Sequence, residues 1–409
     1  MINAGDTAFV LLSAGLVMLM TPGLAFFYGG MVRKKNILGV LMQCFAALCV
    51  ITLQWVFFGY SLSFAPGTGF WGGLQWLGLS GVGLEPNSDY AATIPHQAFM
   101  IYQAMFAIIT PALIIGAFAE RMKFSAFLIF ALLWSTLVYN PVCHWVWGVG
   151  GWLRNLGALD FAGGIVVHVN AGIAALVTAL VIGKRKHFGH HAIPPHNLPF
   201  VVLGTALLWF GWFGFNAGSA LAANGLAVNA FVVTQISAAA GGLSWAFIEW
   251  VFNGKPTIFG TASGAVAGLA TITPAAGFVG PMAAVVIGLV ASILCYAAVA
   301  YLKPKLGYDD SLDAFGVHCV GGIFGTLSVG LFASKLINPA GADGLFFGST
   351  HQLYVQAIAV FATAAYSFIA TFIIYKAIDM TIGVRVSEKE EQLGLDLAQH
   401  REGAYTVLE

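Results

Sequence analysis

Two short stretches of the chain share one arrangement of an acidic residue and a histidine. Asp160 is followed after seven residues by His168, and Asp310 is followed in the same way by His318. An imidazole can accept, donate or relay a proton near neutral pH, so two of them together could handle a proton or a weak base. The plainer interpretation is that each histidine only bonds a backbone carbonyl in a packed interior. The segments that carry the two histidines decide between these interpretations.

The composition places those segments in a membrane. Hydrophobic residues make up 59% of the 409, only 8% are charged, and the mean hydropathy is +0.85. Soluble proteins carry about 25% charged residues, so a soluble globular enzyme and a disordered chain are both excluded. Seventeen basic and seventeen acidic residues cancel, which leaves no basic surface for nucleic acid. We therefore expect a polytopic membrane protein.

Charges and turn residues divide the chain into eleven apolar segments. A helix needs about 20 apolar residues to cross about 30 Å of hydrocarbon. The uncharged stretch 256–302 is too long for one helix, and Thr273, Pro274 and Gly277 break it in two. Two interpretations of the amino terminus stay open: the first segment is a true span, or a signal peptide has already been removed. The segments cover approximately residues 7–30, 37–63, 97–119, 124–147, 160–182, 199–220, 228–252, 257–274, 278–301, 312–333 and 352–378.

The predicted fold is an all-α bundle of eleven transmembrane helices, and its positive charges indicate the orientation. An odd number of spans puts the two termini on opposite sides. With the carboxy terminus inside, fifteen lysines and arginines lie inside and only Arg154 and Lys335 lie outside. Because these residues concentrate in cytoplasmic loops, we predict an outside amino terminus. Residues 1–380 then form the eleven-span domain, and 381–409 form a cytoplasmic tail.

The two Asp-to-His stretches also predict an internal duplication. They lie in segments five and ten, so their helices run in opposite directions, as in an inverted-topology repeat. The repeats would cover about 7–182 and 199–333, with 352–378 as an extra span. Gly172 and Gly322 follow the histidines at the same offset, although chance similarity in a chain rich in glycine and valine is the alternative. Eight residues of helix carry each histidine about 12 Å inward, toward the membrane midplane, where ionisable residues are usually functional.

Longer motifs resemble the Amt/MEP/Rh ammonium transporter family, and its Amt branch in particular. The stretch between Asp160 and Arg185 is similar to the family signature and reads DFAGGIVVHVNAGIAALVTALVIGKR. Other similar stretches read PGLAFFYGGMVRKKN, ITPALIIGAFAERMKFSA, WFGFNAGSAL, DDSLDAFGVHCVGGIFGT and EKEEQLGLDLAQHREGAY. The likeness covers nearly the whole chain. It implies eleven spans, an inverted repeat, an outside amino terminus and a homotrimer in which each subunit has its own pore.

The resemblance also implies roles for particular residues. The pore's twin histidines correspond to His168 and His318. The residues matched to an outer ammonium recruitment site are Phe106, Trp147 and Ser219. The residues matched to the gate and the pore lining are Phe106, Phe215, Trp212 and Phe27. Asp160 corresponds to an acidic residue beneath the recruitment site that supports the local backbone and biases the field toward cations.

Each of these residues has a plainer interpretation as well. A phenylalanine or tryptophan in a membrane helix usually belongs to packing or to the interface belt. Ser219 could bond back to its own helix. Asp160 could cap its helix, and we expect that it does this too. Trp147 has the nearest competitor, because Trp145 lies two residues away.

The sequence therefore predicts an ammonium transporter of the inner cell membrane that serves nitrogen uptake, and not an enzyme. Ammonium would bind outside, lose its proton at the phenyl gate, and cross as ammonia past His168 and His318. Net proton transfer is the favoured variant, and methylammonium would serve as an analogue substrate. No cofactor or metal is expected.

Two alternatives stay open. An ammonium sensor is the first, but such sensors usually append a signalling domain, and the tail ends at Glu409. A membrane metalloenzyme is the second, but it needs three or more ligands per metal, and only two histidines are expected near the midplane. The four histidines between His187 and His196 could form a metal site, although a solvated, proline-broken loop is the expectation.

The tail is expected to act on the inner face. Gly394, Leu395, Asp396 and Tyr405 resemble the family's carboxy-terminal segment, which packs there and couples subunits. The resemblance also suggests a PII-type regulatory protein that closes the inner exit. A merely solvated tail is the alternative.

Overall fold

The computed structural model describes residues 1–186, 188–191 and 193–405 and consists of helices joined by turns and loops. Within these residues the only extended backbone pairings are two isolated bridges. The predicted all-α class is therefore confirmed for the described part of the chain.

Ten helices in the described residues are long and apolar enough to cross a membrane. The predicted segment 257–274 forms an apolar helix of only 15 residues, which is shorter than these ten. The structure by itself therefore supports ten spans and one shorter apolar helix, which is the eighth along the chain. In chain order the helices are α1 (Ala4–Met31), α2 (Ile37–Phe64), α3 (His96–Phe118), α4 (Phe124–Leu156), α5 (Gly164–Ile182), α6 (Leu198–Ala220), α7 (Gly225–Asn253), α8 (Ile258–Ile272), α9 (Pro281–Leu306), α10 (Phe315–Phe332) and α11 (His351–Thr381).

Polar side chains begin several of these helices where loops give way to apolar runs. The first N–H groups of a helix have no partner within the helix, so a capping side chain satisfies them. Asn3 accepts from the backbone of Asp6 at 3.0 Å, and Thr257 accepts from Gly260 at 2.8 Å. The break predicted near Pro274 is confirmed, because α8 ends at Ile272 and α9 begins only at residue 281.

The helices pack in pairs that recur in the two halves of the bundle. In the first half α1 packs on α3, α2 on α4 and α3 on α5, and in the second half α6 packs on α8, α7 on α9 and α8 on α10. Two further contacts join the halves, α1 with α6 and α5 with α10. The contact between α5 and α10 brings the two histidine-bearing helices together.

Both histidines lie in π-helical turns, at Gly164–Val169 in α5 and at Phe315–Cys319 in α10. A π turn accommodates one extra residue and is frequent at functional sites. The two spans were predicted to begin at residues 160 and 312, but the helices begin three or four residues later. The residues before them form turns that an aspartate caps.

Candidate functional site

His168 and His318 lie side by side inside the bundle. Their ring centroids are 5.3 Å apart, and their planes are 9° from parallel. A Cβ on Gly172 would lie 2.3 Å from a backbone nitrogen of α10, and one on Gly322 would lie 2.9 Å from a backbone nitrogen of α5. The two glycines therefore let α5 and α10 cross closely enough to pair the rings.

The cavity beside the two rings is narrow and almost wholly apolar. Its volume is about 10 Å³, roughly the space that one water molecule needs. Both Nδ1 atoms have no hydrogen-bond partner among the described residues, and neither does Nε2 of His168. Because buried polar atoms are rarely left unpaired, these nitrogens are available to a small guest. The other lining residues are Met20, Leu24, Phe27, Ile109, Leu113, Val167, Leu208, Trp212, Phe215 and Val266.

Trp212 and Phe27 are both placed in the wall of this cavity. The Trp212 ring lies over His168, with centroids 5.6 Å apart and planes 21° from parallel. Its Nε1 donates to Thr273 Oγ1 at 2.8 Å, so the turn after α8 fixes the indole. Phe27 also lines a second cavity that continues past His318.

A series of aromatic rings leads away from His168 on one side. Phe215 lies 6.3 Å from the His168 ring and stacks on Phe106, with centroids 4.3 Å apart. Trp147 meets Phe106 edge-on at 5.7 Å and 90°. Phe106 and Phe215 are each 1% exposed, so a molecule that passes between them has to move them. We call the Trp147 end of the bundle outer and the end that carries the tail inner.

An outer cavity of about 220 Å³ lies beyond the stacked phenylalanines, and Trp147, Ser219 and Asp160 line it together. The Ser219 hydroxyl donates to the carbonyl of Phe215 at 2.9 Å and lies 3.1 Å from the hydroxyl of Tyr102. Ser219 thus bonds back to its own helix and still lines the cavity. With its proton engaged, its oxygen remains an acceptor on the cavity side.

Tyr102 is a residue that the sequence reasoning missed. Its hydroxyl reaches the carbonyls of Gly214 and Phe215, each at 2.9 Å. Its ring lies 5.1 Å from Phe106. Tyr102 stands one turn before Phe106 on α3, so the i, i+4 spacing on a candidate pore helix is a signal that could have identified it.

The structure separates Trp147 from Trp145. Trp147 contacts Phe106, whereas Trp145 packs on Tyr366, with ring centroids 4.7 Å apart. The carbonyl of Trp147 accepts from Arg154 Nη1 at 2.6 Å. Arg154 also lines the outer cavity, a place that the sequence did not indicate. Trp147 is therefore the tryptophan beside the stacked phenylalanines.

Asp160 holds the start of α5. Its carboxylate accepts four backbone N–H bonds, from residues 163–166, at distances between 2.7 and 3.1 Å. Its own carbonyl accepts from Trp147 Nε1 at 2.8 Å. A hydrogen bond to a charged group contributes about 1.5–3 kcal/mol, so one residue fixes both the histidine helix and the indole at the outer cavity.

Asp310 occupies the matching position at the start of α10 and makes fewer bonds. It accepts from the backbone of Ala314 at 3.2 Å and of Phe315 at 2.7 Å. Burial, together with the neighbouring Asp313 carboxylate, raises the pKa of Asp310 to about 6.

Two cavities continue from His318 to the inner end. The first, of about 40 Å³, extends from Phe27 and His318 to Asp313. The second, of about 280 Å³, extends from Asp313 to Arg185. Together with the outer cavity they give the path a wide, narrow and wide profile, with the two histidines near the narrowest part.

A buried network of charges joins the inner loops. Glu120 pairs with Arg185 and Arg33, each at 3.0 Å, and Asp309 pairs with Arg185 at 2.8 Å and with Arg121 at 3.9 Å. Burial alone would raise the pKa of Glu120, but the Arg185 and Arg33 guanidiniums outweigh it and lower that pKa. Arg185 and Arg121 likewise outweigh burial and lower the pKa of Asp309. Both carboxylates are therefore held in the ionised form.

The tail packs directly on this network. The backbone N–H of Leu395 donates to Asn36 Oδ1 at 2.8 Å, and Asn36 Nδ2 donates to Glu120 at 2.9 Å. Asp396 accepts from the backbone of Gly39 at 2.9 Å, in the first turn of α2. These contacts lie within one chain, so this part of the tail is docked and not merely solvated.

The histidine-rich loop makes structural contacts where it is described. His196 Nδ1 lies 2.7 Å from the carbonyl of Val32, and its Nε2 lies 2.9 Å from the hydroxyl of Tyr405. His187 lies outside the described residues. In the part of the chain that the structure describes, no three His, Cys, Asp or Glu side chains are grouped to hold a metal ion.

Comparisons with known proteins agree over the length of the chain. The model of the Ammonium Transporter Family matches residues 8–405. An ammonium transporter of Bacillus subtilis is 54% identical over 98% of this chain and 98% of its own. Ammonium transporter Amt1 of Archaeoglobus fulgidus is 51% identical over 98% and 99%. The crystal structure of Candida albicans Mep2 matches with a TM-score of 0.91 and 40% identity, covering 98% of this chain and 90% of that one.

Proposed function

The chain belongs to the ammonium transporter family, and from that membership we propose how ammonium crosses it. It is a multi-pass membrane protein that transports ammonium across the cell membrane, and it is not an enzyme. The relatives from Bacillus subtilis and Archaeoglobus fulgidus are named as transporters, which does not favour the sensor alternative. The path and the role of each residue are the proposal.

Ammonium first binds in the outer cavity, against Phe106, Trp147 and Ser219. A ring face attracts a desolvated cation by about 2 kcal/mol or more. The Trp147 ring lines this cavity, and the Phe106 ring lies 5.7 Å from it. The Ser219 oxygen accepts one N–H of the ion, since its own proton is bound to the carbonyl of Phe215. The Asp160 carboxylate, which lines the same cavity, adds a negative potential that favours a cation.

The middle of the path suits ammonia better than ammonium. A cavity of about 10 Å³ has no room for a hydration shell. Moving an ion into an apolar medium costs tens of kcal/mol in the ideal limit, whereas an unbonded neutral polar group costs about 2–7 kcal/mol. The ion therefore loses its proton at the stacked rings of Phe106 and Phe215, and ammonia continues. The observation that carries this proposal is one narrow apolar cavity with stacked phenylalanines at one side and unpartnered imidazoles beside it.

His168 and His318 then accept or donate a hydrogen bond to ammonia. Neither nitrogen of His168 has a hydrogen-bond partner among the described residues, so the nitrogens are available to ammonia. A rotation that directs one ring N–H at the bare nitrogen of the other ring would fix both tautomers. The same pair can relay the proton that ammonium has released, so that charge crosses together with ammonia. Net charge movement is the favoured variant of the proposal.

The function is tested with purified protein in liposomes on an ammonium pulse at varied pH. We expect a saturable current with ammonium and none with an equal pulse of potassium. Protein-free liposomes are the control for leak. Methylammonium uptake without current would contradict charge movement only, whereas neither current nor uptake would contradict the transport function.

The finer topology is also part of the proposal: eleven spans in a five-plus-five repeat, with the amino terminus outside and the carboxy terminus inside. The recurring helix pairs and the fifteen-to-two distribution of basic residues support it. In a variant without native cysteines, His190→Cys should resist an impermeant thiol reagent in intact cells, whereas Ala340→Cys should react. The reverse labelling pattern would overturn the orientation.

The domain boundaries and the partners are also part of the proposal, and they follow from membership of the family. Residues 1–380 form the transporter domain, and 381–409 form a cytoplasmic tail whose docked part supports a regulatory role. The protein assembles as a homotrimer with one pore in each subunit. A PII-type protein binds at the inner exit, and methylammonium replaces ammonium as a substrate.

A further inference from the structure

The third residue after each capping aspartate has the same unusual backbone conformation. Gly163, three residues after Asp160, has a φ of +117°, and Asp313, three residues after Asp310, has a φ of +62°. A left-handed φ is easy for glycine and strained for a residue with a Cβ. The turn before α10 thus carries a carboxylate where the matching turn carries glycine, and aspartate is one of the few residues with a Cβ that adopt this conformation.

The side chain of Asp313 is paired with a cation. Its carboxylate forms an ion pair with the ammonium of Lys303, near the end of α9, and each side chain is 20% exposed. The Lys303 ammonium also lies 3.4 Å from the carbonyl of Asp310. Lys305, two residues further along, is exposed. The pair is therefore specific to one lysine.

Asp313 stands where the two inner cavities meet. It lines both the cavity of about 40 Å³ that reaches His318 and the cavity of about 280 Å³ at the inner end. Asp313 carries the only carboxylate among the described residues that line the smaller cavity. His318 lines the same cavity, is 4% exposed, and has no partner for its Nδ1 in the described chain. A molecule that leaves the histidines inward therefore meets this carboxylate first.

We propose that Asp313 is an inner ammonium-binding site, at which the substrate ion and the side chain of Lys303 compete for one carboxylate. This inference rests on the transport function proposed above. A lysine ammonium and a free ammonium ion carry the same charge and donate the same kind of N–H bond. Lys303 is therefore a tethered competitor of the substrate. The ring of Phe259, which lines both inner cavities, provides a face for the ion.

The competition gives the two ends of the path different tasks. Arg154 lines the outer cavity as well, but its Nη1 donates to the carbonyl of Trp147 at 2.6 Å. It therefore does not compete with ammonium for the rings and the hydroxyl, and the outer site retains the ion until it is deprotonated. At the inner site Lys303 returns to Asp313 whenever the substrate ion leaves, which assists release. Ammonium arriving from the inner side has to displace Lys303 before it can bind.

The test compares right-side-out and inside-out membrane vesicles from cells that express the protein. The half-saturation concentration for methylammonium is measured from each side, and the readout is the inner value divided by the outer value. Asp313→Gly restores the residue found at position 163 and suits the positive φ, so we expect a folded protein whose ratio rises about five-fold. Lys303→Met removes the competitor, so the ratio should fall about three-fold.

Lys305→Met is the matched control, because it removes an exposed lysine two residues away and should leave the ratio unchanged. Thermal unfolding in detergent verifies that each variant is folded. An unchanged ratio in Asp313→Gly, or a ratio that rises in Lys303→Met, would overturn the inner site. If the wild-type protein takes up no methylammonium in either vesicle type, the proposed transport function fails instead.

Discussion

The segments 160–168 and 310–318 have the same spacing of aspartate and histidine, yet their surroundings differ. Asp160 accepts four backbone N–H bonds and stands beside aromatic rings, whereas Asp310 accepts two and stands beside an ion pair. The residue with a left-handed φ is Gly163 in the outer segment and Asp313 in the inner segment. The same backbone framework can therefore place two histidines in equivalent positions, while the residues around its outer end and its inner end differ.

The largest expected effect comes from removing the two aspartates that cap α5 and α10. Asp160→Ala leaves four buried N–H groups without an acceptor, and Asp310→Ala leaves two, at about 1–3 kcal/mol for each orphaned group and with incomplete additivity. We expect Asp160→Ala to lose most of its folded protein and Asp310→Ala to show only a lower melting temperature. Size-exclusion chromatography and thermal unfolding in detergent measure both. Equal losses of folded protein in the two variants would show that the two caps contribute equally to stability.

The next effect concerns the histidines, where the two segments meet. His168→Ala and His318→Ala remove a polar contact from an otherwise apolar passage, so ammonium-driven current should fall at least about ten-fold. The variants should assemble as the wild type does, which size-exclusion chromatography checks. His168→Glu adds a fixed charge and should reduce the selectivity for ammonium over potassium. If both alanine variants carried the wild-type current, the two histidines would have a packing role only.

The outer mouth should show a smaller effect, on affinity. Ser219→Leu combined with Trp147→Leu removes an acceptor and a ring from the proposed cation site. The half-saturation concentration for ammonium should rise about ten-fold while maximal flux falls less. Trp71→Leu, at a partly exposed outer-loop tryptophan, is the matched control. A lower maximal flux at unchanged half-saturation would place the cation elsewhere.

The tail should produce the smallest effect. Truncation after Gly383 removes Leu395 and Asp396, which hold Asn36 and the first turn of α2. Loss of a helix cap costs about 0.5–2 kcal/mol, so flux should fall about two- to five-fold in a protein that still assembles. Truncation after Tyr405 keeps those contacts and should match the wild type. Unchanged flux in the shorter variant would mean that docking has no influence on transport.

The sequence predicted the features that depend on local pattern. Apolar length and turn residues located the helices and the break near Pro274, and the repeated spacing identified the histidines that the fold brings together. The choice between Trp145 and Trp147 needed the structure, because residues two apart point to nearly opposite sides of a helix. Tyr102 was missed since its role comes from contacts with α6, which is distant in sequence. Asp313 was missed because its partner Lys303, although only ten residues earlier, is brought to it by the loop between α9 and α10.

The π turns at the two histidines determine how insertion or deletion of a residue would change the lining of the pore. One extra residue in a helix offsets the side chains on either side of it by about 100°, the rotation of one residue. In α5 and α10 the turn that carries the histidine is thereby set in a different phase from the regular helix that follows it, and both parts pack against other helices. Deletion of one residue within either turn would therefore rotate its histidine away from the other.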